Sequence, residues 1–412
     1  MELTQFEHSI LNGERGETAR NALEYQIRVG EYYGAKRFVP ITQAHITADI
    51  EVMGDPGLSF LEANKNDARF LVPTTTNARC VDFEQCVKLG QSADGVAKER
   101  RVVDAVQRMG AMTIDSCVNY QVAYQPRLGE HVAWGDTGTV IYANSVFGAR
   151  TNFESGPAAM SAALTGRVPA YGFHLDENRT ANVIVNVDTP IHDVADWGIL
   201  GRLVGSAVFD YKGVPVLANV ERFAPTSDDL KHLGASMATW SLGMFHAVGV
   251  TPEARTLEDA TKGRSELDHI TISQKDLEAG YEAFEYDDPR VGLVVFSGPQ
   301  LSLLEVGKIA NLLDGKKIHS DTTLIITAAS STYKQAEQAG FVDIIQRAGG
   351  SFLTGVCFYI LDGLSEIRTS HGWKTMVTNS AKLANNVKAH RFVPVVRRTE
   401  DCINIAVRGC LE

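Results

Sequence analysis

The last third of the chain alternates buried strands with helices, and this pattern restricts the possible folds more than any other. The runs VGLVVF (291–296), TLIITA (323–328) and SFLTGV (351–356) are short and apolar, as buried strands are. Between them, residues 302–313 and 331–349 have the spacing of amphipathic helices. Strands joined through helices pair in parallel, with right-handed crossovers. The sequence therefore predicts an α/β fold with a parallel sheet in this region.

The earlier part of the chain shows a less regular form of the same alternation. Helices are predicted at 17–33, 94–109, 228–247 and from Thr251, and strands at 68–73 and 182–187. The polar run from Thr74 to Asn77 follows the first of these strands. Such a run at the carboxyl end of a strand is typical of a ligand-binding loop, and a plain helix cap is the alternative.

Composition and charge exclude several classes of partner. The chain has 412 residues, enough for more than one subdomain, and we divide it at about residue 290 into 1–290 and 291–412. Its net charge is −11 and no lysine or arginine cluster is present, so we predict no nucleic-acid or membrane partner. No secretory signal is evident, and six scattered cysteines are typical of a reducing compartment. These features predict a cytoplasmic protein.

Residues 128–179 form a stretch dense in glycine and polar side chains. Glycine beside amides, carboxylates and arginines indicates backbone folded tightly around a polar cavity. A set of ordered loops with satisfied polar groups is the alternative interpretation. The chain has neither GxGxxG after a strand nor GxxxxGK[ST], so the sequence gives no support for a dinucleotide or P-loop site.

Several long motifs of this chain resemble those of the aconitase X family. They are LNGERG near the start, VPTTTN at 72–77, GEHVAW, YANSVFGARTN and GRVPAYGFHLDENR within 128–179, and TNSAK at 378–382. The resemblance implies an aconitase-like catalytic part built of parallel-sheet subdomains. It also implies a hydro-lyase acting on a small hydroxy-carboxylate, such as a hydroxyproline or a phosphorylated hydroxy acid. The superfamily's small swivelling domain is absent from the chain, so a separate small swivel-domain subunit is expected.

The resemblance further implies an iron–sulfur cluster held by three cysteine motifs, and this chain departs from one of them. Cys117 and Cys357 are retained, whereas Gly298 stands where the family has cysteine and Gln300 where it has histidine. Two thiolates fall short of the usual ligand set, so a cluster site and a cluster-free site are both open. Cys80 is a further thiol that follows the 74–77 run. Gly298→Cys would either restore a ligand or strain a glycine kept for positive φ.

Pocket motifs also differ from the family pattern. Where the family has TNREGG, this chain reads TNFESG at 151–156, so Phe153 replaces an arginine. Where the family has AWSESS, this chain reads AWGDTG at 133–138. These changes predict a changed substrate or mechanism. A cluster-free relative working as an isomerase, cyclase or other lyase, and a non-catalytic binding subunit, are therefore the alternatives to the hydro-lyase.

The resemblance also implies roles for individual residues. Glu130 with His131 would act as acid or base, since a hydro-lyase must move a proton and a hydroxyl. Arg150 and Asn152 would bind a substrate carboxylate, because a guanidinium pairs with it bidentately. The implied catalytic residues are Glu130, His131, Ser380 and Lys382. The implied substrate-binding residues are His45, Thr75, Thr76, Asn77, Ser145, Arg150, Asn152, Asn178 and Arg179. For each of them a structural hydrogen bond or ion pair is the alternative.

Overall fold

The computed structural model describes residues 1–284, 286 and 288–411. In this part of the chain three parallel sheets are flanked by helices, and a short antiparallel pair joins β1 to β5. The α/β class predicted from the sequence is confirmed. No helix among the described residues is long and apolar enough to cross a membrane.

The elements follow one another along the chain in three groups. The first contains α1 (Gln5–Leu11), α2 (Glu17–Tyr32), β1 (Phe38–Pro40), β2 (Ala44–Ile46), α3 (Ile50–Asn64), β3 (Thr74–Thr76), α4 (Cys86–Leu89), α5 (Ala93–Arg108), α6 (Asn119–Val122), β4 (Ala133–Trp134), α7 (Thr137–Tyr142), α8 (Pro157–Thr165) and β5 (Arg167–Pro169). The second contains β6 (Val183–Asp188), α9 (Val194–Val208), β7 (Pro215–Leu217), α10 (Ser227–Ala238), β8 (His246–Ala247), α11 (Leu257–Thr261), β9 (Asp268–Ser273) and α12 (Gln274–Glu282). The third contains β10 (Leu293–Leu301), α13 (Leu303–Leu313), β11 (Thr323–Ala328), α14 (Ser330–Gln338), α15 (Phe341–Ala348), β12 (Ser351–Thr354), α16 (Leu364–Ser370), β13 (Thr375–Thr378), α17 (Ala381–Asn386), β14 (Val393–Val396) and α18 (Thr399–Arg408).

The parallel sheet predicted for the last third is confirmed. Strand β11 pairs in parallel with β10 and β12, and the five strands lie in the order β12-β11-β10-β13-β14. The single helix predicted at 331–349 is instead two helices, α14 and α15. Gly340 separates them with φ 78°, a left-handed conformation that ends one helix and redirects the chain.

Three sequence-based predictions are wrong in the earlier part. The strand expected at 68–73 lies at Thr74–Thr76, because these buried threonines pair with β2 while the backbone of Phe70 donates to Met109. The helix expected from Thr251 is a tight turn, in which the Thr251 hydroxyl accepts from the Ala247 amide at 2.9 Å. The helix predicted at 228–247 ends at Ala238.

The three-stranded sheet β3-β2-β4 and the five-stranded sheet meet at their carboxyl edges. A parallel bridge joins Arg79 to Val356, and the Arg79 amide donates to the Gly355 carbonyl at 2.8 Å. Gly355 has φ 67°, and a Cβ there would lie 2.8 Å from the Arg79 guanidinium, so only glycine permits this close approach. The Arg79 guanidinium also pairs with Asp115 at 2.8 Å. The strand-end loops of two sheets are thereby brought to one place.

Candidate functional site

A buried polar cluster occupies the place where the two sheet edges meet. We call it the junction cluster, and its members are His45, Asn77, Cys117, Asp136, Gln300, Cys357 and Lys382, all buried. The charge of the Asp136 carboxylate raises the pKa values of His45, Cys117 and Cys357. The charge of Lys382 lowers the pKa values of both cysteines. Carboxyl ends of parallel strands are where open α/β sheets bind ligands.

His45 supplies a neutral imidazole to this cluster. Its Nδ1 lies 2.8 Å from the Thr75 hydroxyl, while Nε2 is buried and has no hydrogen-bond partner among the described residues. Burial lowers the pKa of His45 to about 4, although the Asp136 charge and the Asn77 amide oppose that change. Asn77 lies close to His45 without a hydrogen bond of normal geometry, and its Oδ1 is likewise without a partner. The His45 ring is thus uncharged, and it lies beside the Asn77 side chain and the Ser116 backbone, both of which raise its pKa.

Lys382 and Asp136 supply a buried pair of opposite charges. Asp136 caps α7 by accepting from the Gly138 amide at 2.9 Å, and Lys382 belongs to the first turn of α17. The Lys382 Nζ donates to the Thr137 hydroxyl at 3.2 Å and lies 3.9 Å from Asp136 Oδ2. Their side chains are 3% and 8% exposed. Because an ammonium carries three donors, Lys382 retains capacity to bind an anionic group.

Cys117 and Cys357 face each other in the same cluster. The Cys357 thiol donates to Cys117, which also accepts from the Gln300 amide at 3.3 Å. This hydrogen bond lowers the pKa of Cys117 and raises that of Cys357, while burial opposes ionisation of both thiols. The Gln300 side chain donates to the carbonyls of Asp115 and Val356 at 3.2 and 3.0 Å. Gln300 therefore ties together the two loops that carry the cysteines.

The donors present do not fit a cluster held by three cysteines. Gly298 has φ 60°, and a Cβ added there would first meet the Leu383 side chain at 3.1 Å. Cys80 lies in a separate apolar core beside Glu99 and Asp49, so it does not complete the site. Within the part of the chain that the structure describes, no group of three or more His, Cys, Asp or Glu side chains is arranged to hold a metal ion. Two thiols are fewer than an aconitase-type cluster takes from its protein.

Hydrogen bonds of Ser380, Thr75 and Thr76 help to position the junction cluster. The Ser380 hydroxyl donates to the Gly298 carbonyl and accepts from the Leu383 amide at 3.1 Å, which caps α17. Thr76 donates to Asp115 at 3.0 Å, and Thr75 accepts from the Gln43 amide at 2.8 Å. All three hydroxyls have protein partners. Ser380 caps the helix that carries Lys382, and Thr75 holds the His45 ring.

Glu130 and His131 lie at the opposite edge of the three-stranded sheet. The Thr42 amide, just before β2, donates to the His131 carbonyl at 3.0 Å, whereas Asp136 follows the end of β4. Five extended residues separate the two positions by roughly 15 Å, at about 3.3 Å per residue. Glu130 accepts hydrogen bonds from Thr42 and Tyr124, and these side chains close a turn. Glu130 and His131 therefore lie away from Asp136, and their role as acid or base stays a prediction.

His131 begins a chain of hydrogen bonds of its own. Its Nδ1 lies 2.9 Å from His174 Nδ1, and His174 Nε2 lies 2.9 Å from Glu154. Burial, together with the charges of His174 and Arg150, lowers the pKa of His131 to about 4. Arg150 pairs with Asp176 and donates to the His174 carbonyl at 3.4 Å. The structure thus places Arg150 beside His174, and its guanidinium is already occupied.

Four other predicted binding residues also have protein partners. The Asn152 amide contacts the Tyr171 carbonyl and the Phe173 amide, and the Ser145 hydroxyl accepts from the Phe245 amide. Arg179 pairs with Glu253 and donates to the Asn144 carbonyl at 2.9 Å. Asn178 is exposed and donates to the Gly172 carbonyl. These contacts order the 128–179 stretch without reaching the junction cluster.

Sequence reasoning did not single out Asp136, or the part played by Gln300, for this site. Asp136 directly follows a strand and precedes a helix, a position that could have identified it. The sequence motif marks Gln300 only as a replacement for the family's histidine. Its role depends on two distant carbonyls, which no spacing in the sequence reveals.

The fold defines an α/β protein whose candidate site, the junction cluster, lies where the edges of two parallel sheets meet. Models of the first, second and third aconitase X domains match residues 1–177, 181–282 and 291–408. The chain belongs to the aconitase X family.

Similar proteins from two organisms carry enzyme names. The phosphomevalonate dehydratase large subunit of Thermococcus kodakarensis is 35% identical over 396 residues, which are 95% of this chain and 96% of that one. The cis-3-hydroxy-L-proline dehydratase of Pseudomonas aeruginosa is 36% identical over 93% of this chain and 66% of its own. A crystal structure of Thermococcus kodakaraensis aconitase X in its holo form has a TM-score of 0.87 and 32% identity, covering 98% of this chain and all of that one.

Proposed function

We propose that this protein is a hydro-lyase that removes water from a small hydroxy-carboxylate at the junction cluster. The observation that carries the proposal is a buried ammonium, Lys382, placed with Asp136 and the unpartnered imidazole nitrogen of His45. An anion binder and a proton-transfer group in one water-poor site are what such an elimination needs. The dehydratase names of the relatives support the same class of reaction.

In this proposal the substrate carboxylate binds the Lys382 ammonium. His45 is neutral at physiological pH, so Nε2 accepts the proton from the carbon beside the carboxylate, in the tautomer that donates Nδ1–H to Thr75. The electron pair of the broken C–H bond forms the new double bond, and the C–O bond breaks. The same nitrogen returns the proton to the departing hydroxide, so water leaves and the proton balance closes. Because the donor set does not fit a three-cysteine cluster, no step uses one.

A separate small swivel-domain subunit is part of the proposal. Five relatives are named as large subunits, and these names support a separate small subunit. We infer that the small subunit covers the junction cluster when the substrate is bound.

A second candidate function follows from the changed motifs. Phe153 replaces an arginine, and Gly298 and Gln300 replace a cysteine and a histidine of the family pattern. An isomerase would use the same proton transfer at His45 without loss of hydroxide. The presence of the buried ammonium disfavours a purely non-catalytic subunit.

The test is a product analysis by NMR in deuterated water, with phosphomevalonate, cis-3-hydroxy-L-proline and related hydroxy acids. Protein is assayed alone and with the small subunit of a relative, alongside Lys382→Met and the surface control Lys334→Met. We expect a dehydrated product that Lys382→Met abolishes and Lys334→Met leaves intact. Deuterium exchange without dehydration would indicate the isomerase. Absence of both reactions across the series would contradict the proposal.

A further inference from the structure

A cavity of about 660 Å³ lies outside the junction cluster, and five of its thirteen lining residues are aromatic. We call it the aromatic pocket, and its aromatic members are Tyr33, Phe153, Tyr171, Phe173 and Tyr211. Its volume falls within the range of small-molecule sites. None of the seven residues of the junction cluster lines it.

The aromatic side chains of the pocket pack against one another. Tyr33 and Tyr171 stack with centroids 4.4 Å apart and planes 4° from parallel. Tyr211 packs against Phe153 and Phe173, with centroids 5.5 and 5.3 Å away. The buried Asn152 Oδ1 accepts from the Phe173 amide at 2.8 Å and the Tyr211 hydroxyl at 3.1 Å. A preformed aromatic wall suits a flat apolar ring, because little is left to be ordered on binding.

The charged residues of the pocket favour a single negative charge on its ligand. Lys212 and Arg264 line it together with one carboxylate, Glu177, which leaves a net charge of +1. Neither cationic side chain forms a hydrogen bond or ion pair with another residue in the described part of the chain. Unpaired cations at the mouth of an apolar cavity are suited to a carboxylate attached to an apolar body.

One short segment separates this pocket from the junction cluster. Phe153 faces the pocket, at the position where the family motif has arginine. The next residue, Glu154, places its carbonyl oxygen 3.0 Å from where a Cβ would stand on Gly135, directly before Asp136. Phe153 therefore gives the pocket an apolar wall close to the junction cluster.

We propose that the aromatic pocket is a second binding site, which takes a small monocarboxylate bearing an aromatic ring. The ring lies between Phe153, Tyr171 and Tyr211, and the carboxylate reaches Lys212 and Arg264. This binding does not depend on the hydro-lyase activity, so the two proposals can fail separately.

The test compares phenylacetate with benzyl alcohol, its uncharged analogue, by isothermal titration calorimetry on the full chain. We expect saturable phenylacetate binding that weakens by roughly tenfold in the double variant Lys212→Ala/Arg264→Ala, the loss of one charge-assisted contact pair. The double variant Lys334→Ala/Arg347→Ala removes two exposed cations elsewhere and should bind as the parent does. Phe153→Arg should weaken binding of both probes.

Two results would overturn the assignment. One is the absence of saturable phenylacetate binding up to about 10 mM, well above the affinities of specific sites. The other is equal binding by the parent and Lys212→Ala/Arg264→Ala, which would show that these cations do not hold the carboxylate. A melting temperature for each variant distinguishes lost binding from lost folding.

Discussion

Gly298→Cys gives the sharpest test of how the third cysteine position has changed. Gly298 has φ 60°, and a side chain in this left-handed region costs about 1–2 kcal/mol. The new Cβ would also lie 3.1 Å from the Leu383 Cβ, inside an apolar core, and such overpacking costs about 1–3 kcal/mol. We therefore expect Gly298→Cys to lower the free energy of unfolding by roughly 2–5 kcal/mol, the sum of the two effects.

The assay is urea unfolding of Gly298→Cys beside Gly298→Ala, under anaerobic conditions with and without added iron and sulfide. Alanine carries the same Cβ without a thiol, so the two variants should be destabilised to a similar degree. Iron binding should not rise in the cysteine variant, because its side chain meets Leu383 first. Full stability together with a stoichiometric cluster in Gly298→Cys would refute this reasoning and restore the interpretation of Gly298 as a simple loss of ligand.

Further predictions concern three charged residues. Arg150→Ala should change substrate affinity by less than about threefold and lower the free energy of unfolding by about 1 kcal/mol, because Arg150 binds Asp176 and the His174 carbonyl. Steady-state kinetics and urea denaturation measure the two effects. Asp49→Asn should stabilise the protein at pH 8 by on the order of 2–4 kcal/mol, because burial and the nearby Glu99 raise the pKa of Asp49 to about 7. The parent should lose stability as pH rises from about 4 to about 7, so urea titrations at pH 5 and pH 8 should show a smaller difference between the parent and Asp49→Asn at the lower pH. Glu305→Gln should cost about 1.5–3 kcal/mol in thermal or chemical unfolding, because the buried Lys231 loses one of its two carboxylates and keeps only Asp228.

The fold of the last third could be predicted because its local signals agree with its pairing. Strands β10, β11 and β12 are apolar runs, and Ser302 and Glu305 form the capping box that starts α13. Strand β3 could not be predicted, since three threonines have no alternation of their own. Their extended conformation comes from pairing with β2.

The candidate site was predictable where a residue lies within a few positions after the end of a strand. Cys357 follows β12 and Lys382 follows β13, so strand-end geometry places both at one edge. His131 and Asp136 are only five residues apart, yet they lie at opposite ends of β4, and the sequence gives no register to show it. The positive φ of Gly298 could not be predicted from the sequence either, because the φ angle of a glycine is set by its tertiary surroundings.

The central claim is that the junction cluster works through its own side chains, without a three-cysteine iron–sulfur cluster. Iron and acid-labile sulfide analysis of anaerobically purified protein tests it most directly. We expect less than about one iron atom per chain, since two thiols, those of Cys117 and Cys357, face the site among the residues that the structure describes. A full complement of about two to four iron atoms with matching sulfide, and a visible absorption band lost in Cys117→Ser, would contradict it.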